Sequence, residues 1–190
     1  MTATQIALVL IERYKNLLAV VRAAPLTNAL PEAKYTSFES EEFGASFPGQ
    51  PEVTRIDLEM PDVGKISATE FKVISRDRGY MFSVWTLKSK NLTTLYAGEK
   101  GVNLWKNASL KQSENELFLE SEKSLLVNQF PSKELTLRSK NGLINAKFLI
   151  VITPNIHYAV KVIIDPKTVP EEAKSNFLRS FTPFKQASGS

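Results

Sequence analysis

The chain has 190 residues, 43% apolar and 23% charged, a balance that suits one compact domain, alone or with an appended segment, and argues against disorder. Cysteine is absent and histidine occurs once, which excludes disulfide frameworks, thiol nucleophiles, zinc ribbons, thiolate-ligated clusters and His-rich metal sites. Basic residues number 24 against 20 acidic, a net charge of +4 with no run of four Lys or Arg, too mild an excess to point to nucleic acid.

Gln5 to Ala23 reads as a helix, because Ile6, Leu10, Tyr14, Leu17 and Val21 recur at three- and four-residue spacing while Glu12, Arg13, Lys15, Asn16 and Arg22 gather opposite. Leu8, Val9 and Val20 fall outside that stripe, so apolar residues cover more than half of the girth. No basic stretch precedes the run, as a signal peptide requires, and Glu12 and Arg13 cut it short of the ~20 residues needed to span a bilayer. Three readings follow: packing on its own domain or on a second copy, docking on a partner protein, or lying on a membrane surface. The excess apolar girth favours a partner, which makes Ile6, Leu10, Tyr14, Leu17 and Val21 the candidate partner-binding residues. From Ala24 to Glu42 the period lapses among Pro25, Pro31 and acidic residues, which reads as a linker and the approach to a first strand. The expected organisation is a helix and linker over 1–33, a folded domain over 34–184 and a frayed tail over 185–190.

Strand periodicity governs the remainder. Phe43 to Phe47 is a short strand ending at the Pro48-Gly49-Gln50-Pro51 turn, and Ile66–Ser75 and Tyr80–Leu87 form a hairpin across Asp77-Arg78-Gly79. Leu95, Val102, Trp105 and Leu110 fit a helix of roughly three turns. Strands are then expected over Leu117–Asn128, Glu134–Ser139, Leu143–Thr153 and Ile156–Ile164, with Asn141-Gly142 as the strongest hairpin turn. A last helix presents Ala173, Phe177 and Phe181, with Thr168 and Glu171 at capping-box spacing. This order predicts an α+β fold with a largely antiparallel sheet. The Ala97–Gly101 cluster lacks the spacing of a phosphate loop, and no alternating strand–helix pattern supports a nucleotide fold.

The motifs Phe43-x-x-x-Phe47-Pro48-Gly49-x-Pro51, Phe130-Pro131-x-Lys133-Glu134-Leu135, Ala146–Ile150, Tyr158-Ala159-Val160 and Phe177-Leu178-x-Ser180-Phe181 together resemble the PsbP-like superfamily over about residues 35 to 184. The resemblance implies an antiparallel β-sheet flanked by helices on both faces, an α/β/α sandwich, to which the N-terminal helix is an addition. It also implies binding and assembly rather than chemistry. The superfamily includes photosystem II extrinsic subunits, a Ran-binding transport factor and bacterial periplasmic or lipoprotein members. Exported members begin with a signal or a lipidated cysteine. The N-terminal helix departs from that, so a cytoplasmic location is the default expectation and a periplasmic one the alternative. The matched residues themselves read as packing: Phe43 with Phe47, and Phe177 with Phe181, are core pairs.

Catalysis has few candidate groups. His157 lacks a Gly-x-Ser-x-Gly elbow to serve and reads as structural or solvent-facing. The four aspartates (Asp57, Asp62, Asp77, Asp165) each read as turn or loop residues, and Glu39, Glu41 and Glu42 as a solvated loop that could meet Asp57 or Asp62 around a hard cation. Trp85 and Trp105 read as core or partner anchors, and Tyr96 as a loop contact. The expectation is a non-enzymatic protein-binding or assembly module without a cofactor or metal, docking through its first helix. A carboxylate-based hydrolase and a peripheral membrane protein are the alternatives.

Overall fold

The computed structural model describes residues 35–60, 62–113 and 117–184, except for the side chains of 111–113. The strands are β1 (Thr36–Glu39), β2 (Phe43–Phe47), β3 (Glu52–Met60), β4 (Gly64–Ser75), β5 (Tyr80–Lys88), β6 (Leu117–Val127), β7 (Phe130–Ser139), β8 (Asn145–Ile152), β9 (His157–Ile164) and β10 (Thr182–Pro183). The helices are α1 (Lys90–Leu95), α2 (Gly98–Ser113) and α3 (Glu171–Ser180). Seven strands pair antiparallel in the order β3-β4-β5-β9-β8-β7-β6, and three more form a small sheet, β1-β2-β10. The α+β expectation holds.

Alternation along each strand splits the apolar residues between two clusters. In β8, Ala146, Phe148, Ile150 and Ile152 join the first cluster, while Leu149 and Val151 join the second. In β5 every residue from Tyr80 to Leu87 is buried, because both faces of this central strand are covered. Val102 and Trp105 of α2 pack into the first cluster; Ala173, Phe177 and Leu178 of α3 pack into the second, beside Phe43, Ala45 and Phe47 of the small sheet. Phe177 meets Phe47 and Phe82 at ring-centroid distances of 5.0 Å each, and Phe181 meets Tyr158 at 5.3 Å. Burying one such side chain stabilises by roughly 1.5–3 kcal/mol, so this aromatic stack is the main tie between small sheet, α3 and large sheet.

Several expectations are corrected. The residues read as linker include β1, which pairs with β2 across a turn in which Ser40 Oγ accepts from the N–H groups of Glu42 and Phe43 at 3.1 Å each. Phe43–Phe47 and the first long hairpin are separated by β3, which carries Asp57 in a strand rather than a turn. One face of β3 is solvated, and its charges hid the alternation of Ile56, Leu58 and Met60. The middle helix is two, α1 and α2, broken where Gly98 adopts φ +54°. Thr168 caps nothing: its Oγ1 donates to the Arg78 and Asp165 carbonyls at 2.8 and 3.2 Å, and Pro170 is the N-cap. Pro183 belongs to β10, a two-residue strand that the sequence reading did not include, and pairs with Phe43.

The hairpin turns also exchange roles. Gly142 has φ +68°, but Asn141 does not take positive φ; its Oδ1 instead accepts from Ser139 Oγ at 2.7 Å and Leu143 N at 3.1 Å within a longer loop. The two-residue turn with both φ values positive is Asn128-Gln129, at φ +49° and +71°, between β6 and β7. The Gly79 turn holds, at φ +64°. Among the described residues no helix is long and apolar enough to cross a membrane.

Candidate functional site

A groove of about 410 Å³ lies between the β6–β7 hairpin and α3 on the second face of the large sheet. Its floor is Leu125 and Val127 of β6 and Leu149 of β8, and its wall is Leu178 and Phe181. Leu149, Leu178 and Phe181 are buried, so the apolar lining is fixed by the core behind it. Asn128, at the hairpin tip, donates to the Pro183 carbonyl at 3.4 Å and bridges one end.

Three charges line the groove. Glu134 Oε1 and Lys147 Nζ form an ion pair at 3.4 Å, and Arg179 lies exposed on the rim with no ion pair among the described residues. Behind the wall, Lys174 is 1% exposed and donates to Glu171 Oε1 at 2.6 Å. Its pKa is depressed by burial first and, against the help of Glu171, by the neighbouring Lys147 and Arg138. Lys147, Lys174 and Arg138 are each offset by a carboxylate (Glu134, Glu171 and Glu120), which leaves Arg179 as the one cation in excess around the groove.

The other candidates resolve into structural roles. His157 is fully buried, and its Nδ1 accepts a 2.8 Å hydrogen bond from Trp105 Nε1. Burial pushes its pKa down to about 4, so the imidazole is neutral near neutrality. Trp85 and Trp105 are both core, and Tyr96 is half-buried with the Lys100 ammonium 5.1 Å from its ring centroid. Glu42 turns inward to pair with Lys88, while Glu39 and Glu41 stay exposed. No group of three or more His, Asp or Glu side chains converges among the described residues. On the first face, Glu70 and Lys161 are buried; burial drives the Lys161 pKa down to about 8, opposed by the Glu70 charge. The proposed docking residues Ile6, Leu10, Tyr14, Leu17 and Val21 lie outside the described residues.

The groove was not expected. Leu125 and Val127 carry strand alternation and Phe181 reads as core, so nothing local marks them as neighbours across α3. The one available signal was the Leu125-Leu126-Val127 run, which leaves Leu126 70% exposed at the hairpin tip.

No protein-family model matches the chain, and no curated protein matches it. Among solved structures, cyanobacterial PsbP (CyanoP) from Synechocystis sp. PCC 6803 is similar, with a TM-score of 0.52 at 14% identity over 85% of this chain and 100% of that one. A protein of unknown function from Pseudomonas aeruginosa, PA94, described as a putative regulator, aligns at a TM-score of 0.40 and 10% identity over 80% of this chain and 99% of that one; that score bears no argument. The match to CyanoP shows that the fold is PsbP-like.

Proposed function

We propose that this PsbP-like domain is a non-enzymatic protein-binding or assembly module, an accessory subunit of a larger complex that docks through the N-terminal segment, the helix expected over Gln5 to Ala23. The observation that carries the reading is the use made of His157. The chain has one imidazole, and it is sealed in the core as the acceptor of Trp105, held neutral and away from solvent. Glu134, the acidic side chain that lines the groove, is paired with Lys147, which gives a two-carboxylate hydrolase no support there. The placement of α2 against one apolar cluster and α3 against the other favours the helix-flanked sandwich that the PsbP resemblance implies.

The test is a pull-down with full-length bait beside bait lacking residues 1–33, together with the oligomeric state of each. A stoichiometric partner, or self-association, seen with the full-length chain alone is the expected result. The same partner on both baits would move the interface to the folded domain. No partner and a monomer in both cases would overturn the reading.

A further inference from the structure

We propose that strand β6 is a self-association edge, on which a second copy of this chain pairs its own β6 antiparallel about a two-fold axis at Glu122, joining the two large sheets into one. This goes beyond the assembly reading and does not depend on it, since the contact belongs to the folded domain and not to residues 1–33. A single strand pair covers less than the roughly 1,600 Å² of a standard interface, so the dimer is a weak one that forms as the chain is concentrated.

Strand β6 ends the large sheet and pairs only with β7 among the described residues. Glu120, Ser121, Glu122, Lys123 and Ser124 are all exposed, so solvent reaches its outer side, where an edge strand offers unpaired N–H and C=O groups. Its layout is apolar, polar, apolar: Leu117-Phe118-Leu119 at one end and Leu125-Leu126-Val127 at the other. Phe118 and Leu126 are 44% and 70% exposed. An antiparallel copy of the same strand brings each apolar end against the opposite apolar end and the polar middle against itself, which is the complement this layout asks for. The charges of the middle do not bar the approach, because Glu120 is tied to Arg138 at 3.1 Å and Glu122 to Lys106 and Lys133 of its own copy.

The irregularity between Leu119 and Ser121 selects the register. Leu117 and Leu119 belong to the first face, Leu125 and Val127 to the second. By alternation Phe118 then shares the second face with Leu125, and Leu126 shares the first with Leu117. With Glu122 on the axis, Ser121 lies opposite Lys123 of the second copy. Once the extra residue Glu120 is passed, Phe118 lies opposite Leu125 and Leu117 opposite Leu126, each pair on one face. Lys123 thus approaches Glu120 of the other copy, and the two Glu122 carboxylates on the axis are met by Lys106 and Lys133 from both sides. An axis at Lys123 would match the apolar ends as well, but it would set two ammonium groups face to face.

The chain has no cysteine, so a single introduced thiol reports the axis. Residues directly opposite in an antiparallel pair have Cα atoms about 4.5–5.5 Å apart, within disulfide reach. The test is oxidative cross-linking of full-length Glu122→Cys, Ser124→Cys and Val53→Cys, all at exposed positions, the last on the opposite edge strand β3. Glu122→Cys is expected to dimerise about ten-fold faster than either other variant, since two copies of position 124 would stand roughly 14 Å apart along the strands. In sedimentation equilibrium of the cysteine-free chain, Leu126→Asp is expected to weaken the dimer about ten-fold. Equal rates for the three thiols, or Ser124→Cys ahead, would overturn the proposal. So would a dimer indifferent to Leu126→Asp, which would assign self-association to residues 1–33, or a chain monomeric at every concentration, which would leave the edge to a strand of another protein.

Discussion

Trp105 of α2 and His157 at the start of β9 meet edge to face at 6.3 Å, with the indole N–H donating to Nδ1 at 2.8 Å. An accepting Nδ1 places the imidazole proton on Nε2, so protonation of the ring must sever the bond that ties α2 to the sheet. His157 thereby becomes an acid-sensitive point in the core.

Its folded pKa, about 4, lies below the ordinary 6.5. Above pH 6.5 both folded and unfolded chains hold it neutral, and it contributes nothing to pH dependence. Between 6.5 and 4 the unfolded chain takes up a proton that the folded one refuses, so stability falls with pH, by about 3 kcal/mol in all. Denaturant midpoints measured across this window should decline more steeply for the native chain than for His157→Gln, whose amide accepts from Trp105 without titrating. Parallel slopes would contradict the assignment.

Gly101 packs beneath the same pair. A Cβ there would overlap the Tyr96 carbonyl oxygen and stand 3.3 Å from His157 Cε1. Backbone cannot yield as a flexible side chain does, so Gly101→Ala should destabilise by about 2–3 kcal/mol. Gly64→Ala is the control: its φ is +79° and nothing lies within 4 Å, so only backbone strain of about 1–2 kcal/mol is expected. Urea unfolding of the two variants should rank them in that order.

Gln129 occupies the second position of a turn that needs positive φ at both central residues, and its φ is +71°. Gln129→Gly relieves a left-handed side-chain residue in a two-residue hairpin, at the cost of a more flexible unfolded chain. The net expectation is a gain of about 0.5 kcal/mol, read as a higher denaturation midpoint. A loss would mean that the Gln129 side chain makes contacts worth more than the strain.

Lys174 is a buried ammonium whose carboxylate partner, Glu171, is 56% exposed on its side chain. Its depressed pKa means that the charged form is penalised in the fold, so raising the pH through its folded pKa should increase stability. Lys174→Met keeps the packing and removes the charge, and should stabilise by about 1 kcal/mol in thermal or denaturant unfolding. Destabilisation would show that the Glu171 hydrogen bond outweighs desolvation.

The elements that were legible are those whose pattern is carried by adjacent residues. Tyr80–Lys88 and His157–Ile164 are apolar runs bounded by turns, and both are strands. The Gly79 turn and the Phe177 helix face follow from single residues and three-to-four spacing. Edge elements were less visible. Strand β1 is short and largely exposed, β3 alternates against a background of charge, and β10 is two residues long, so each depends on a neighbour for its definition. At Thr168 a capping-box spacing was present, but the hydroxyl found the Arg78 carbonyl 90 positions away and the helix began without it.

The α+β class, most of the strands and the aromatic core of Phe43, Phe47, Phe177 and Phe181 are written in local sequence, because periodicity and side-chain size act locally. Folding in three dimensions sets β9 between β5 and β8, joins β2 and β10 in one sheet, seals His157 under Trp105 and leaves a groove between α3 and the β6–β7 hairpin. Those relationships join residues such as Ser46 and Ser180, whose hydrogen bond spans 134 positions at 2.9 Å. Pairing over such separations is selected by the packing free energy of the whole domain, and no local period encodes it.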